Sequence, residues 1–210
     1  MKRYLILFFA VVILIGTACT PRADEFIDLS VRVAKLNIHR GEYTLGKMLT
    51  YKQKETAQRH AVDAAGPGTY KFKDNNLFIV ADKATDRVLI LYEQYDPATQ
   101  EKIRELVGNL FFDFGDPTIM AHDKTIYWAF DEKGKIAEPE YRAVKAKNQP
   151  LKTLATVKLD SSHKIMSNET DTQDSRVYYI VSSNPLLKLH QKKQKISEDQ
   201  GLSLIENFSQ

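Results

Sequence analysis

Five histidines and one cysteine are the first residues to consider for metal ligation, proton relay or nucleophilic attack, and the spacing of the histidines argues against a ligand pair. His39, His60, His122, His163 and His190 lie far apart. None forms the His-x-x-x-His or His-Glu-x-x-His arrangement that aims two imidazoles from one helix face at a zinc ion. His122-Asp123 stands beside an expected turn and reads as a solvated loop. A serine nucleophile needs an exposing turn and a neighbouring base. The chain has no Gly-x-Ser-x-Gly elbow and no Ser-x-x-Lys accompanied by its partner motifs. Asp113-Phe114-Gly115 spells a kinase triplet, but there is no glycine-rich loop and no His-Arg-Asp, so it reads as the end of a helix. No phosphate loop or dinucleotide glycine pattern occurs. The expectation is no catalytic residue, no metal, no cofactor, and a protein that is not an enzyme.

Cys19 is different, because of what precedes it. Lys2 and Arg3 put positive charge at the start, Tyr4 to Ile15 is almost unbroken apolar sequence, and Gly16, Thr17 and Ala18 are small. This is the pattern of a secretory signal peptide over residues 1–18. The apolar run falls short of the roughly 20 residues a membrane span needs. A lone cysteine where a signal peptide ends has no disulfide partner to explain it. The alternatives are plain export, or an apolar segment retained as an anchor with Cys19 an incidental thiol.

The ending Gly16-Thr17-Ala18-Cys19 resembles the lipobox of bacterial lipoproteins. In that family the cysteine becomes the first mature residue, its sulfur carries a diacylglycerol, and its amine is usually acylated as well. Ala18 and Thr17 fit the pattern; Gly16 stands where an aliphatic residue is usual. The resemblance implies lipidation (palmitate or a similar acyl chain) at Cys19 and residence in the cell envelope, facing the periplasm. Thr20, in place of an aspartate, implies the outer rather than the inner membrane. Each buried methylene contributes about 0.8 kcal/mol, so two or three acyl chains hold a protein on a bilayer almost permanently.

The chain has 210 residues, 43% of them hydrophobic, which excludes a disordered protein and allows a real core. Its net charge is +3, and the loss of Lys2 and Arg3 leaves +1, so nucleic acid is not an expected partner. The expected divisions are 1–18 signal peptide, 19–28 lipidated tether, 29–95 a first helix and hairpin unit, 96–183 a second helix and sheet unit, and 184–210 a basic linker with a final helix.

The elements follow from periodicity. Residues 24–40 fit either period and lean to a helix that stops near Gly41. A second helix is expected from Thr44, as N-cap, to about Ala65, ended by Gly66-Pro67-Gly68. Strands are expected at 69–72, 77–81 and 87–95, with a polar hairpin at 82–86. The clearest helix follows, with Asp96 as N-cap and Pro97 in the first position. Its stripe is Ile103, Leu106, Val107, Leu110 and Phe111, and Gly115 and Pro117 end it. Paired strands are expected at 118–121 and 125–131, a surface loop at 136–150, a strand at 151–159 with a return at 163–166, a polar loop at 167–175, and a strand at 177–182. A last helix begins at Ser197.

A helix followed by an apolar hairpin thus occurs twice. With Ile38-His39-Arg40-Gly41 and Phe114-Gly115-Asp116-Pro117-Thr118 as glycine turns, and Tyr127-Trp128-Ala129-Phe130 as an aromatic strand, the order resembles the small outer-membrane lipoproteins of the BamE/SmpA type. That resemblance implies a helix-on-sheet module with a scaffolding or assembly role. The expected class is α+β, an antiparallel sheet packed by one or two amphipathic helices, as two tandem units or as one unrelated fold. Tyr70, Phe72, Phe78, Tyr92, Tyr127, Trp128, Phe130, Tyr178 and Tyr179 are expected as core and sheet face, or as the lining of a ligand cleft. Lys188, Lys192, Lys193 and Lys195 with His190 form a basic patch, expected as a solvated linker or a contact for anionic lipid. The functional expectation is a membrane-anchored interaction or scaffolding protein whose partners are the bilayer and another envelope protein. The alternative is a binding protein holding a lipid or other small ligand between helix and sheet.

Overall fold

The computed structural model describes residues 21–63, 66–165 and 175–207, so the signal peptide, Cys19 and most of the polar loop expected before Ser175 lie outside the described residues. The described residues begin with helix α1 (Pro21–Lys35), followed by a two-strand ladder, β1 (His39–Arg40) with β2 (Tyr43–Thr44). Helix α2 (Tyr51–Arg59) leads into β3 (Ala61–Val62) and a meander of β4 (Thr69–Asp74), β5 (Leu77–Asp82) and β6 (Val88–Ala98). Helix α3 (Gln100–Phe114) precedes β7 (Ile119–Ala121), β8 (Thr125–Asp131) and β9 (Gly134–Lys135). Then come α4 (Glu138–Ala146), β10 (Ala155–Ser161), β11 (Ser175–Ser182) and α5 (Asn184–Asn207). The class is α+β.

One antiparallel sheet runs β3-β4-β5-β6-β11-β10-β8-β7, with β9 added to β8. It crosses the boundary expected at Tyr95, which falls inside β6, because β6 pairs with β11 from Ile90 to Ala98. Two ends of this sheet matter below. The near end carries Thr69, Asp82, Val88 and Ser182; the far end carries the β4–β5 turn and Tyr95. A six-residue strand spans about 20 Å between them.

Helix α3 lies on the inner face. Ile103, Leu106, Val107 and Leu110 are buried against Trp128, Val157 and Tyr179, and Phe111 meets Trp128 edge to face at 5.9 Å. Full burial of each such side chain contributes about 1.5–3 kcal/mol. The helix ends where expected: Gly115 takes φ 65° and donates its N–H to Phe111 O, and the Trp128 indole N–H donates to Gly115 O at 2.9 Å. Strand alternation divides the aromatic set. Tyr70, Phe72, Trp128, Phe130 and Tyr179 face the core. Phe78, Tyr92 and Tyr127 lie in one cross-strand row, Lys73-Phe78-Tyr92-Ile180-Lys158-Tyr127-Ile119, on the outer face, and Phe78 stacks on Tyr92 at 4.7 Å.

Six expectations are corrected. The tether of 19–28 is helical from Pro21 onward and buries Phe26. Thr44 is a strand residue rather than a helix cap, because residues 46–49 spend their backbone on the start of β6 and the turn before it: Gly46 N–H donates to Val88 O at 2.8 Å and Leu49 N–H to Asp86 O at 2.9 Å. The helix starts only at Thr50, whose hydroxyl and Gln53 form a capping box, and it ends at Arg59, before the Gly66-Pro67-Gly68 turn. Asp96 and Pro97 belong to β6, and Thr99 caps α3 in their place. The loop at 136–150 contains α4, started by Pro139 and by Glu138 and Glu140 in the first turn. The basic linker is helix: α5 begins at Asn184, capped by the Ser183 hydroxyl, which accepts from Leu186 N–H at 3.2 Å. Residues 163–165 form no return strand; Ile165 instead docks on the β7–β8 turn, donating to Asp123 O at 2.7 Å.

Candidate functional site

The two side chains that build the far-end site come from elements 53 residues apart, β1 and β6. Alternation along β6 points Leu91, Glu93 and Tyr95 to the inner face, so Glu93 is a carboxylate at a core-facing position. Its side chain is 9% exposed. Arg40 grips it with both arms, Nε to Oε1 and Nη2 to Oε2, each at 2.8 Å. The Tyr95 hydroxyl donates to Oε2 at 2.7 Å. The guanidinium also lies over the Tyr179 ring, 4.9 Å from its centre. A second carboxylate, Asp74, accepts from the Tyr43 hydroxyl at 2.8 Å. Asp74 pairs with Leu77, and Leu77 with Glu93, so the two carboxylates share a face and stand two strand spacings apart, about 10 Å between their backbones.

These groups line a cleft of about 590 Å³ whose walls also include Glu42, Lys52, Gln53 and Thr56. The volume is within the usual range of small-molecule sites. The electrostatics are settled rather than poised. Burial pushes the Glu93 carboxyl up, but the hydrogen bonds from Arg40 and Tyr95 and the guanidinium charge more than offset it, holding Glu93 below the usual carboxylate range. Burial, then the bond to Glu93, pushes Tyr95 up to about 12. Arg40 is raised by the same bond. Near neutral pH none of these three gives up or takes a proton easily, so the cleft offers fixed charges and hydroxyls for binding.

The sequence-singled residues are dispersed. Cys19 lies outside the described residues. His39 and His60 are exposed, and His122 and Asp123 both take positive φ (52° and 55°) in the tight turn between β7 and β8, the solvated loop expected for them. Among the described residues, no group of three or more His, Cys, Asp or Glu side chains is placed to hold a metal ion. Among them, too, no helix is long and apolar enough to cross a membrane. The α3 stripe is filled by core side chains, and the cleft opens beyond its N-terminal end rather than beneath it.

His190 is the exception. It is buried at the near end, with Nδ1 3.0 Å from Asp82 Oδ1 and Nε2 3.2 Å from Pro67 O. A carbonyl only accepts, so Nε2 carries a hydrogen. The Nδ1 contact is close, but its angle is outside that of a good hydrogen bond, so it acts chiefly as a polar contact. Asp82 Oδ2 accepts from Thr85 N–H at 2.8 Å and Thr85 hydroxyl at 2.7 Å. Burial raises the Asp82 carboxyl, yet the His190 and Thr85 contacts bring it below its ordinary value. Reading His190 as part of a basic patch missed this pairing; its four-residue spacing from Leu186 was the available signal.

Compared with known protein families, characterised proteins and solved structures, the chain matches none.

Proposed function

We propose that this protein is a lipid-anchored component of the bacterial cell envelope that acts without catalysis, as an interaction or scaffolding module that presents its far-end cleft to an envelope partner. One observation carries most weight. Helix α1 starts at Pro21, two residues after Cys19, and is packed onto the near end, where Phe26 joins Leu89 and Leu186 in a buried cluster. An acyl chain on Cys19 would therefore hold the near end at the bilayer, with the cleft directed away from it. The ion pairing inside the cleft supports binding over chemistry, since Arg40 and Glu93 are committed to each other. A second reading rests on the cleft volume: a polar small molecule, rather than a protein, fills it.

Two measurements test this. Labelling with a radioactive fatty acid should mark the wild-type chain and not Cys19→Ala, and an unacylated thiol at the mature N-terminus would refute the anchor. A photo-crosslinker in place of exposed Lys52, at the cleft rim, should capture one discrete envelope protein in intact cells; capture of small molecules alone would favour the second reading.

A further inference from the structure

We infer that α5 is a second membrane contact, its lysine face docking the near end on anionic lipid headgroups beside the acyl anchor. The inference rests on the anchoring reading above and adds an orientation to it.

The basic segment is helical, and the helix sorts its side chains. Leu186 and His190 point into the body, and Gln194 reaches Gly68. Lys188, Lys192 and Lys195 follow at i, i+4 and i+7 on the opposite side, and all three are exposed. Between Asn184 and Lys195 the helix has no acidic residue; its acids, Glu198, Asp199 and Glu206, come later. The stripe therefore presents concentrated positive charge directly away from the fold.

Its position makes that charge meaningful. Helix α5 runs across the near end, meeting β6 through Leu89, β5 through Asp82 and the turn before β4 through Pro67. Helix α1 packs beside it: the Phe26 ring lies 6.2 Å from that of His190, and Lys193 Nζ lies 5.2 Å from its centre. Phe26 is seven residues from Cys19, so the anchor and the lysine stripe leave the body at the same end. Against the four lysines, the described side chains in the first half of α1 include two acids, Glu25 and Asp28, which leaves two positive charges in excess. A cationic face held at a bilayer by acyl chains has one complementary surface within reach, the anionic lipids of that bilayer.

The test uses the full protein purified from membranes, with acylation read first by mass spectrometry. Gln191→Cys, beside the stripe, and Asn76→Cys, in the β4–β5 turn at the far end, each receive a thiol-linked fluorophore. The proteins are placed in phosphatidylcholine vesicles with headgroup nitroxides, with or without about 30 mol % phosphatidylglycerol. Quenching at Gln191 should rise with phosphatidylglycerol and fall back in high salt. It should also fall back when Lys188, Lys192 and Lys195 are all replaced by glutamine, while Asn76 stays unquenched throughout. Quenching at Gln191 no stronger than at Asn76, or indifferent to phosphatidylglycerol, overturns the inference. Should the mass show an unacylated Cys19, the anchoring reading fails separately, and the same chain is sedimented with phosphatidylglycerol vesicles. Each lysine near such a surface is worth about fivefold in affinity, so the triple variant should lose roughly a hundredfold. Equal sedimentation of variant and wild type overturns the lipid contact in that case.

Discussion

Substituting Arg40→Ala isolates the main charge contact of the cleft. The change removes two of the three hydrogen bonds that Glu93 accepts and the guanidinium that neutralises it, leaving only the bond from Tyr95. Removing one partner of a fully buried pair costs about 3–5 kcal/mol. Arg40 is itself 24% exposed, so water reaches the vacated space and the expected cost falls to about 2–3 kcal/mol. The pH dependence distinguishes this cause from lost packing on Tyr179. In the wild type Glu93 titrates below the usual carboxylate range, so its contribution is complete above the unfolded pKa of about 4.3 and is lost as pH falls through the folded value. In the variant that contribution is largely gone at every pH. The gap between wild type and variant is therefore widest at pH 7 and narrows below about pH 4. Urea unfolding followed by the single, fully buried Trp128 gives the difference as a midpoint shift at constant slope. Replacing the pair with Arg40→Met and Glu93→Leu together should recover stability to within about 1 kcal/mol of wild type. A cost under about 1 kcal/mol at pH 7, or one equal at pH 7 and pH 3, would refute the reasoning.

Three further outcomes follow from the same structure. Asp82→Asn should cost about 1–2 kcal/mol at pH 7, because it removes the carboxylate charge to which the Thr85 N–H and hydroxyl both donate, and the difference should shrink as pH falls below the ordinary carboxylate range toward the depressed Asp82 value, read by thermal unfolding at pH 7 and pH 3. Gly46→Ala should cost about 3 kcal/mol or more, since φ is +77° and a new Cβ would stand 2.5 Å from Ser30 O; a denaturant midpoint within error of wild type would contradict the α1 packing described above. Phe112, 91% exposed on α3, should tolerate Phe112→Ser within about 0.5 kcal/mol, and a larger loss in the same titration would mean that this face is covered in solution.

How much of this was legible in the sequence depended on the range of the interaction. Helix α3 was readable because its apolar stripe and its terminal glycine follow local rules, yet its first residue was misplaced by three. Asp96-Pro97 and Thr99 both make credible starts, and the choice is made by β6, which keeps pairing with β11 out to Ala98 and Ser175. Residues 44–49 fit a helix on paper, but their amides bond to residues 86–88, information that no local pattern carries. Pro139 and Pro185 stand in the first turns of α4 and α5, in stretches that were expected as a loop and a linker. The cleft left one overlooked signal. Leu91, Glu93 and Tyr95 alternate on the face of a strand otherwise buried, and a carboxylate in that register requires a cation from somewhere. Which cation, and that it would arrive from a two-residue strand 53 positions away, was beyond the sequence.

The positions of the two buried polar contacts, Arg40 with Glu93 and His190 with Asp82 and Pro67, give them a common logic. The middle of the sheet is held under α3 chiefly by apolar contact, with Trp128, Val157 and Tyr179 as its floor. Toward the ends the apolar surface runs out, and there the chain uses polar contacts, directional in Arg40–Glu93 and in His190 Nε2 to Pro67 O. At the far end Arg40 ties β1, a strand of two residues, to β6; at the near end His190 ties α5 to β5 and to Pro67. Well-packed apolar residues at either place would be about as stable, but their contacts have no preferred direction and would fix β1 and α5 less sharply. The two ends are also where the proposed activities lie, the cleft at one and the membrane contact at the other. Each pair therefore sets the position of an element whose own apolar grip is slight: β1 at the mouth of the cleft, and the α5 stripe where it would face lipid.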